Sequence, residues 1–210
     1  MRVRTLSLTL LSAAALAACG SPDLGTGPEL RQPAEPAANH ISNNCVHFNV
    51  PPVGATFGAP AGQAPGTVVW AEQAIRVSVN KFITSGGGSV YDRLRIEPAP
   101  APFTLAVGNT GHTLNLNAGF DFTTMGWVTS KVVLHYMKFT GGYENLVVNG
   151  SPVFVGQITA PPGVMAGATV TSTPVGFVGG VQGTLTVSGV PINQVLLGGT
   201  SLWIDTVCAF

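Results

Sequence analysis

Between Cys45 and Phe210 the apolar residues return at every second position, in short runs separated by glycine-rich turns. Ile75, Val77 and Val79 alternate with Arg76, Ser78 and Asn80, and Leu114 and Leu116 with Thr113, Asn115 and Asn117. Phe120 and Phe122 resume that pattern; Leu185 and Val187 alternate with Thr184, Thr186 and Ser188, and Leu202 and Ile204 with Ser201, Trp203 and Asp205. Successive side chains of a strand point to opposite faces, so each run reads as a half-buried strand. Residues 131–139 are different. There Val132, Leu134 and Tyr136 on one face and Val133, Met137 and Phe139 on the other are all apolar, as a central strand covered twice requires. The intervening Gly86-Gly87-Gly88, Gly108-Asn109-Thr110-Gly111, Gly141-Gly142, Asn149-Gly150, Gly179-Gly180 and Gly198-Gly199 supply residues that accept positive φ, which is turn chemistry. No segment sustains three turns of helical period, the nearest being residues 70–75, and no fixed repeat is present. About ten strands joined by such turns predict an all-β fold, a two-sheet antiparallel β-sandwich with a jelly roll as the favoured topology.

Composition narrows the partners. Of 210 residues only 9% are charged while 45% are hydrophobic, the reverse of the balance that keeps a chain disordered. Nine basic and nine acidic side chains cancel. A nucleic-acid binder needs a basic surface to neutralise phosphates, so no nucleic-acid partner is expected.

The amino terminus carries an address. Met1-Arg2-Val3-Arg4 is a short basic start, and residues 6–18 form an uncharged apolar run ending in small residues. Such a run is too short to cross about 30 Å of hydrocarbon as a helix and has the layout of a secretory signal peptide. Leu16-Ala17-Ala18-Cys19 resembles the lipobox of bacterial lipoproteins. The resemblance implies removal of residues 1–18 and transfer of a diacylglycerol to the thiol of Cys19, with the membrane as partner through that lipid. Several acyl chains, at about 0.8 kcal/mol per buried methylene, hold a protein durably. Gly20, in place of the Asp that often retains such proteins at the inner membrane, points to the outer membrane where one exists. The alternative is an ordinary cleaved signal followed by a stray cysteine. Loss of Arg2 and Arg4 with the leader leaves seven basic against nine acidic side chains. Residues 19–44, rich in Pro, Ala and Gly, read as a lipidated flexible tether ending near His40, and residues 45–210 as the sandwich domain.

With Cys19 committed to lipid, Cys45 and Cys208 remain, near the two ends of the domain. In an oxidising compartment the simplest reading of such a pair is one disulfide, which requires the first and last strands to lie side by side; the alternative is two buried thiols.

Residues with recognisable chemistry are few. No H-E-x-x-H, C-x-x-C, G-x-S-x-G or P-loop motif occurs. Glu72, Asp92, Glu97, Asp121, Glu144 and Asp205 are scattered, and no catalytic residue is expected. His47 is scattered likewise. His112 opens a strand after a turn and reads as a surface residue; His135, on the central strand, reads as a buried histidine or the lining of a pocket. The closing segment, Gly198-Gly199-Thr200-Ser201-Leu202-Trp203-Ile204-Asp205-Thr206-Val207-Cys208, resembles the last strand of carbohydrate-binding-like jelly rolls. That resemblance makes Asp205 the candidate for a structural Ca²⁺ or for a hydrogen bond fixing the start of the chain. Thr206 stands where many members carry a second acid. Ca²⁺ takes six to eight oxygens. No other cofactor is expected. Tyr143, Glu144 and Asn145, between a glycine-rich turn and a strand, read as a loop tip suited to a sugar, with a ring to stack on and polar groups for hydroxyls, or as a plain hairpin in which Tyr143 covers its own turn. Trp70, Trp127 and Trp203 are core residues or platforms, and Trp203, opposite Leu202 and Ile204, lies either in a second covered layer or on an exposed platform where it is the candidate for ligand contact.

These readings converge on an exported, lipid-anchored cell-envelope lipoprotein whose β-sandwich is a binding module for a glycan or polysaccharide. The alternatives are a structural or adhesive surface protein without a small ligand and a jelly-roll enzyme.

Overall fold

The computed structural model describes residues 44–73, 75–104, 112–117, 119–124 and 128–210. The leader, Cys19, His40 and the tether up to residue 43 lie outside them, as do Trp127 and the Gly108–Gly111 turn. The strands in chain order are β1 (Asn44–Val46), β2 (Thr56–Gly58), β3 (Val68–Glu72), β4 (Ile75–Asn80), β5 (Phe82–Ile83), β6 (Ser89–Val90), β7 (Arg93–Pro98), β8 (His112–Asn117) and β9 (Gly119–Thr124). They continue with β10 (Thr129–Phe139), β11 (Glu144–Val148), β12 (Phe154–Gly156), β13 (Val164–Met165), β14 (Ala168–Phe177), β15 (Gly180–Ile192), β16 (Gln194–Gly198) and β17 (Leu202–Ala209). Among the described residues the only helical element is a 3₁₀ turn, Ala59–Ala61.

The strands form two principal sheets. One runs β13-β14-β15-β10-β17-β8-β7-β2, with β1 also paired to β17; the other runs β12-β11-β16-β9-β4-β3; β5 and β6 make a small hairpin. Every pairing is antiparallel. Within this order lies a complete jelly roll. A long antiparallel hairpin rolled on itself pairs its first strand with its last and its second with its seventh. Here β8 pairs β17, β9 pairs β16, β10 pairs β15 and β11 pairs β12. The remaining strands widen the two sheets at their sides.

The core is what the period of two predicts. Val132, Leu134 and Tyr136 of β10, Leu185 and Val187 of β15 and Ile204 and Val207 of β17 face Ile75, Val77 and Val79 of β4, Leu146 and Val148 of β11 and Val195 and Leu197 of β16, all buried. Interdigitation of two inner faces in this way is the packing of a sandwich, and apolar burial, at about 25 cal/mol per Å², drives it. β10 is central, between β15 and β17. Its second face is only partly covered: Met137 is buried, Val133 half-buried and Phe139 exposed. The ends of the domain meet as the cysteines require. β1 pairs the end of β17 with Cys45 directly opposite Cys208, and the two form a disulfide.

The long β14 is guarded at its outer edge. β13 covers only its start, where Val170 N–H donates to Gly163. Alternation sends the N–H positions of residues 172 and 174 the same way, and residue 174 is proline, which has none to offer a passing strand.

Candidate functional site

The outward face of the larger sheet is built by register. One row across it reads Thr173, Thr184, His135, Thr206; the next reads Val175, Gln182, Met137, Trp203. Beyond the first row Thr171 stands beside Thr186 and Thr169 beside Ser188. Threonine favours strands because its branched side chain packs on a pleated surface, and here it also lays hydroxyls over the face.

Residues 103 and 104 rise over these rows. Phe103, Thr104, His135, Val175, Gln182, Gly183 and Thr184 line an open cleft of about 340 Å³. Its wall is fastened by the N–H of Thr104, which donates to Gln182 Oε1 at 2.8 Å. That bond orients the carboxamide, leaving its NH₂ end as a donor. Burial holds His135 below the usual imidazole range, so near neutral pH the ring is uncharged, with one donor and one acceptor nitrogen. Gly183, between Gln182 and Thr184, pairs with inward-facing Tyr136 and leaves room for it: a Cβ there would sit 2.6 Å from Thr173 O and 3.0 Å from the Tyr136 hydroxyl. Among the described residues the lining is therefore an aromatic ring, an aliphatic side chain (Val175), uncharged hydrogen-bonding groups and a glycine, with no ionic side chain. Such a set suits a neutral polyhydroxylated ligand.

A second recess, of about 430 Å³, lies at the bulge where β10 and β15 slip register, lined by Val128, Thr129, Ser130, Gly189, Val190 and Pro191. The hydroxyls of Thr129 and Ser130 both donate to Phe210 O, so this recess offers a ligand little polar recognition.

The residues singled out from the sequence are dispersed. Trp203 does point outward, but it is half-buried and its ring meets Phe139 edge-on at 5.3 Å and 87°. Phe139 in turn meets Phe177 edge-on, and Trp203 Nε1 donates to Glu97 Oε2 at 3.2 Å. Rings at right angles make a packed row, not a flat platform. Tyr143 is exposed in the turn before β11. The loop-tip reading of Glu144 and Asn145 is corrected: both belong to β11 and both are buried. Glu144 accepts from Lys138 Nζ at 2.5 Å and from Ile158 N at 2.8 Å. Asn145 holds β5, accepting from Ile83 N at 2.5 Å and donating to Ile83 O at 2.8 Å. A buried lysine needs a counter-charge and the half-buried end of β5 needs a partner; these two residues supply them and are not available to a sugar.

Asp205 is buried at a bulge in β17, where the register passes from Thr206 opposite His135 to Ile204 opposite Tyr136. Among the described residues no three His, Cys, Asp or Glu side chains gather to hold a metal. Of the histidines singled out, His135 lines the cleft. Phe103, Thr104, Gln182 and Thr184 carry no local signal of function; the Pro-rich stretch before Phe103 was the nearest hint of a built loop.

No protein-family model, no curated protein and no solved structure matches the chain.

Proposed function

We propose that the protein is an exported lipoprotein, anchored by lipid at Cys19, whose β-sandwich holds an uncharged glycan in the cleft between Phe103 and β15 without turning it over. The observation that carries the binding reading is the chemistry of that cleft: a phenyl ring beside Gln182, Thr184 and neutral His135, with no ionic side chain among the described residues of the lining. Sugars present an apolar face to a ring and hydroxyls to neutral donors and acceptors. The Cys45–Cys208 disulfide agrees with an oxidising compartment, and the run ending in Cys19 supplies the address.

The two halves of the proposal are tested separately. Bacterial cells expressing the full chain are fed a fatty-acid probe; labelling lost in Cys19→Ala supports the anchor, and labelling that survives it refutes the anchor. The full chain in detergent micelles is then titrated with neutral polysaccharides by calorimetry. Saturable heat that Gln182→Ala and Phe103→Ala each weaken at least tenfold supports the cleft. Binding indifferent to both substitutions refutes the site, and silence across the panel from folded protein refutes the glycan reading, leaving a structural surface protein.

A further inference from the structure

On the inner face of the same sheet, away from the cleft, three side chains stand in a reactive order. Lys138 follows Val132, Leu134 and Tyr136 on the inward register of β10 and is 2% exposed. Its Nζ donates to Glu144 Oε1 at 2.5 Å and to Gln157 Oε1 at 2.7 Å. Glu144 is 1% exposed and its other oxygen is held by Ile158 N–H. Gln157 Nε2 donates to Gly142 O at 2.7 Å, fixing the plane of the carboxamide. One amine thus touches a carboxylate and a carboxamide at once. We infer that Lys138 and Gln157 join in an intramolecular isopeptide bond, with Glu144 carrying the proton.

The chemistry balances without any further reactant. The Lys138 ammonium passes a proton to Glu144 across their hydrogen bond. The freed amine attacks Gln157 Cδ, forming the new C–N bond. Glu144 returns the proton to the departing Gln157 nitrogen as its bond to Cδ breaks, which makes ammonia, and the second proton shed by the Lys138 nitrogen leaves with it as ammonium. One amide replaces another, nothing is oxidised or reduced, and Glu144 ends as it began. Three features favour the step. Contact between the groups replaces a bimolecular encounter, which can be worth many orders of magnitude in rate. Glu144 lies within reach of the proton it must move. The amine and the carboxylate are buried while Gln157 sits at the exposed rim, so the reacting side is dry and ammonia has a way out. The product would tie β10 to the segment after β12, 19 residues on, by a bond that thiols cannot reduce.

The sequence makes the test simple, because no Lys or Arg follows Lys138. The full chain is denatured, reduced, alkylated and digested with trypsin. An unlinked chain is cut after Lys138 and releases residues 132–138 and 139–210. A linked chain resists cutting there and yields residues 132–210 lighter by one ammonia, with fragmentation placing the bond at Gln157. Gln157→Ala, at an exposed position, restores cleavage after Lys138. Glu144→Gln lowers the uncut fraction by at least a hundredfold in rate of formation; if that variant does not fold, Gln157→Ala carries the test alone. Complete cleavage of the wild-type chain after Lys138 overturns the inference, even where ammonia has been lost elsewhere, as from Asn149-Gly150. So does a peptide lighter by water with Lys138 joined to Glu144, or a block to cleavage that persists in Gln157→Ala.

Discussion

The disulfide offers a magnitude that can be worked from its place in the chain. Cys45 and Cys208 are separated by 163 residues, so the bond closes almost the whole domain. In the chain-entropy account such a loop removes about 5 kcal/mol of freedom from the unfolded chain at 25 °C. The folded state has little to lose when the bond is cut, because β1 remains paired to β17 through Asn44 with Ala209 and Val46 with Val207, and Val46 stays in the core. The perturbation is therefore Cys45→Ala with Cys208→Ala, or reduction of the native chain, read by guanidinium unfolding of the full chain. The expected loss is about 5 kcal/mol, and for a domain of this size about 10–20 °C in Tm. The denaturant dependence should steepen as well, since an uncrosslinked unfolded chain exposes more surface. A loss below about 1 kcal/mol, in protein whose oxidised form shows no free thiols at these positions, would refute the loop-closure reasoning and leave only the small packing term of two sulfur atoms.

Two further outcomes follow from buried polar groups. Burial lowers the pKa of His135 below its ordinary 6.5, so the unfolded chain binds the proton more readily than the folded one. Its contribution to stability is complete above pH 6.5 and is lost as the pH falls below it; His135→Gln should flatten that part of the stability–pH curve, and an unchanged curve would contradict the assignment. Asn145→Ala leaves Ile83 N–H and C=O without their partner, and should cost about 2 kcal/mol in urea unfolding, with early hydrogen exchange in β5 and β6. A cost near zero would mean that the β5–β6 hairpin is held by something other than this carboxamide.

Much of the architecture was legible because strands write their faces into the sequence locally. The alternation at Ile75, Val77 and Val79 became the inner face of β4, and Leu185 with Val187 that of β15, since period two depends only on neighbours in the chain. The pairing of β1 with β17 was legible through the two cysteines rather than through any pattern of their own strands. The failures lie where partners are distant. Glu144 and Asn145 look like turn residues until Lys138 and Ile83 are brought beside them, the latter from 62 residues away. The Lys138 half of that arrangement was readable: one more step along Val132, Leu134 and Tyr136 places a lysine inside, and a lysine inside calls for an acid. The cleft had no such clue. Thr104 and Gln182 are 78 residues apart, and only the roll of the sheets sets them edge to edge.

The position of the disulfide also decides how the domain bears force. Any pull on the chain ahead of Asn44 reaches first a strand of three residues, which hydrogen bonds alone would surrender one by one. Cys45 is the second of them, and its bond hands the load sideways to Cys208 in β17, which is flanked by β10 along its length. From there tension is shared in shear across the middle of the sheet rather than spent in peeling its rim. A domain tugged from its amino-terminal end would hold at Cys45, with the outward cleft on β10 and β15 undisturbed.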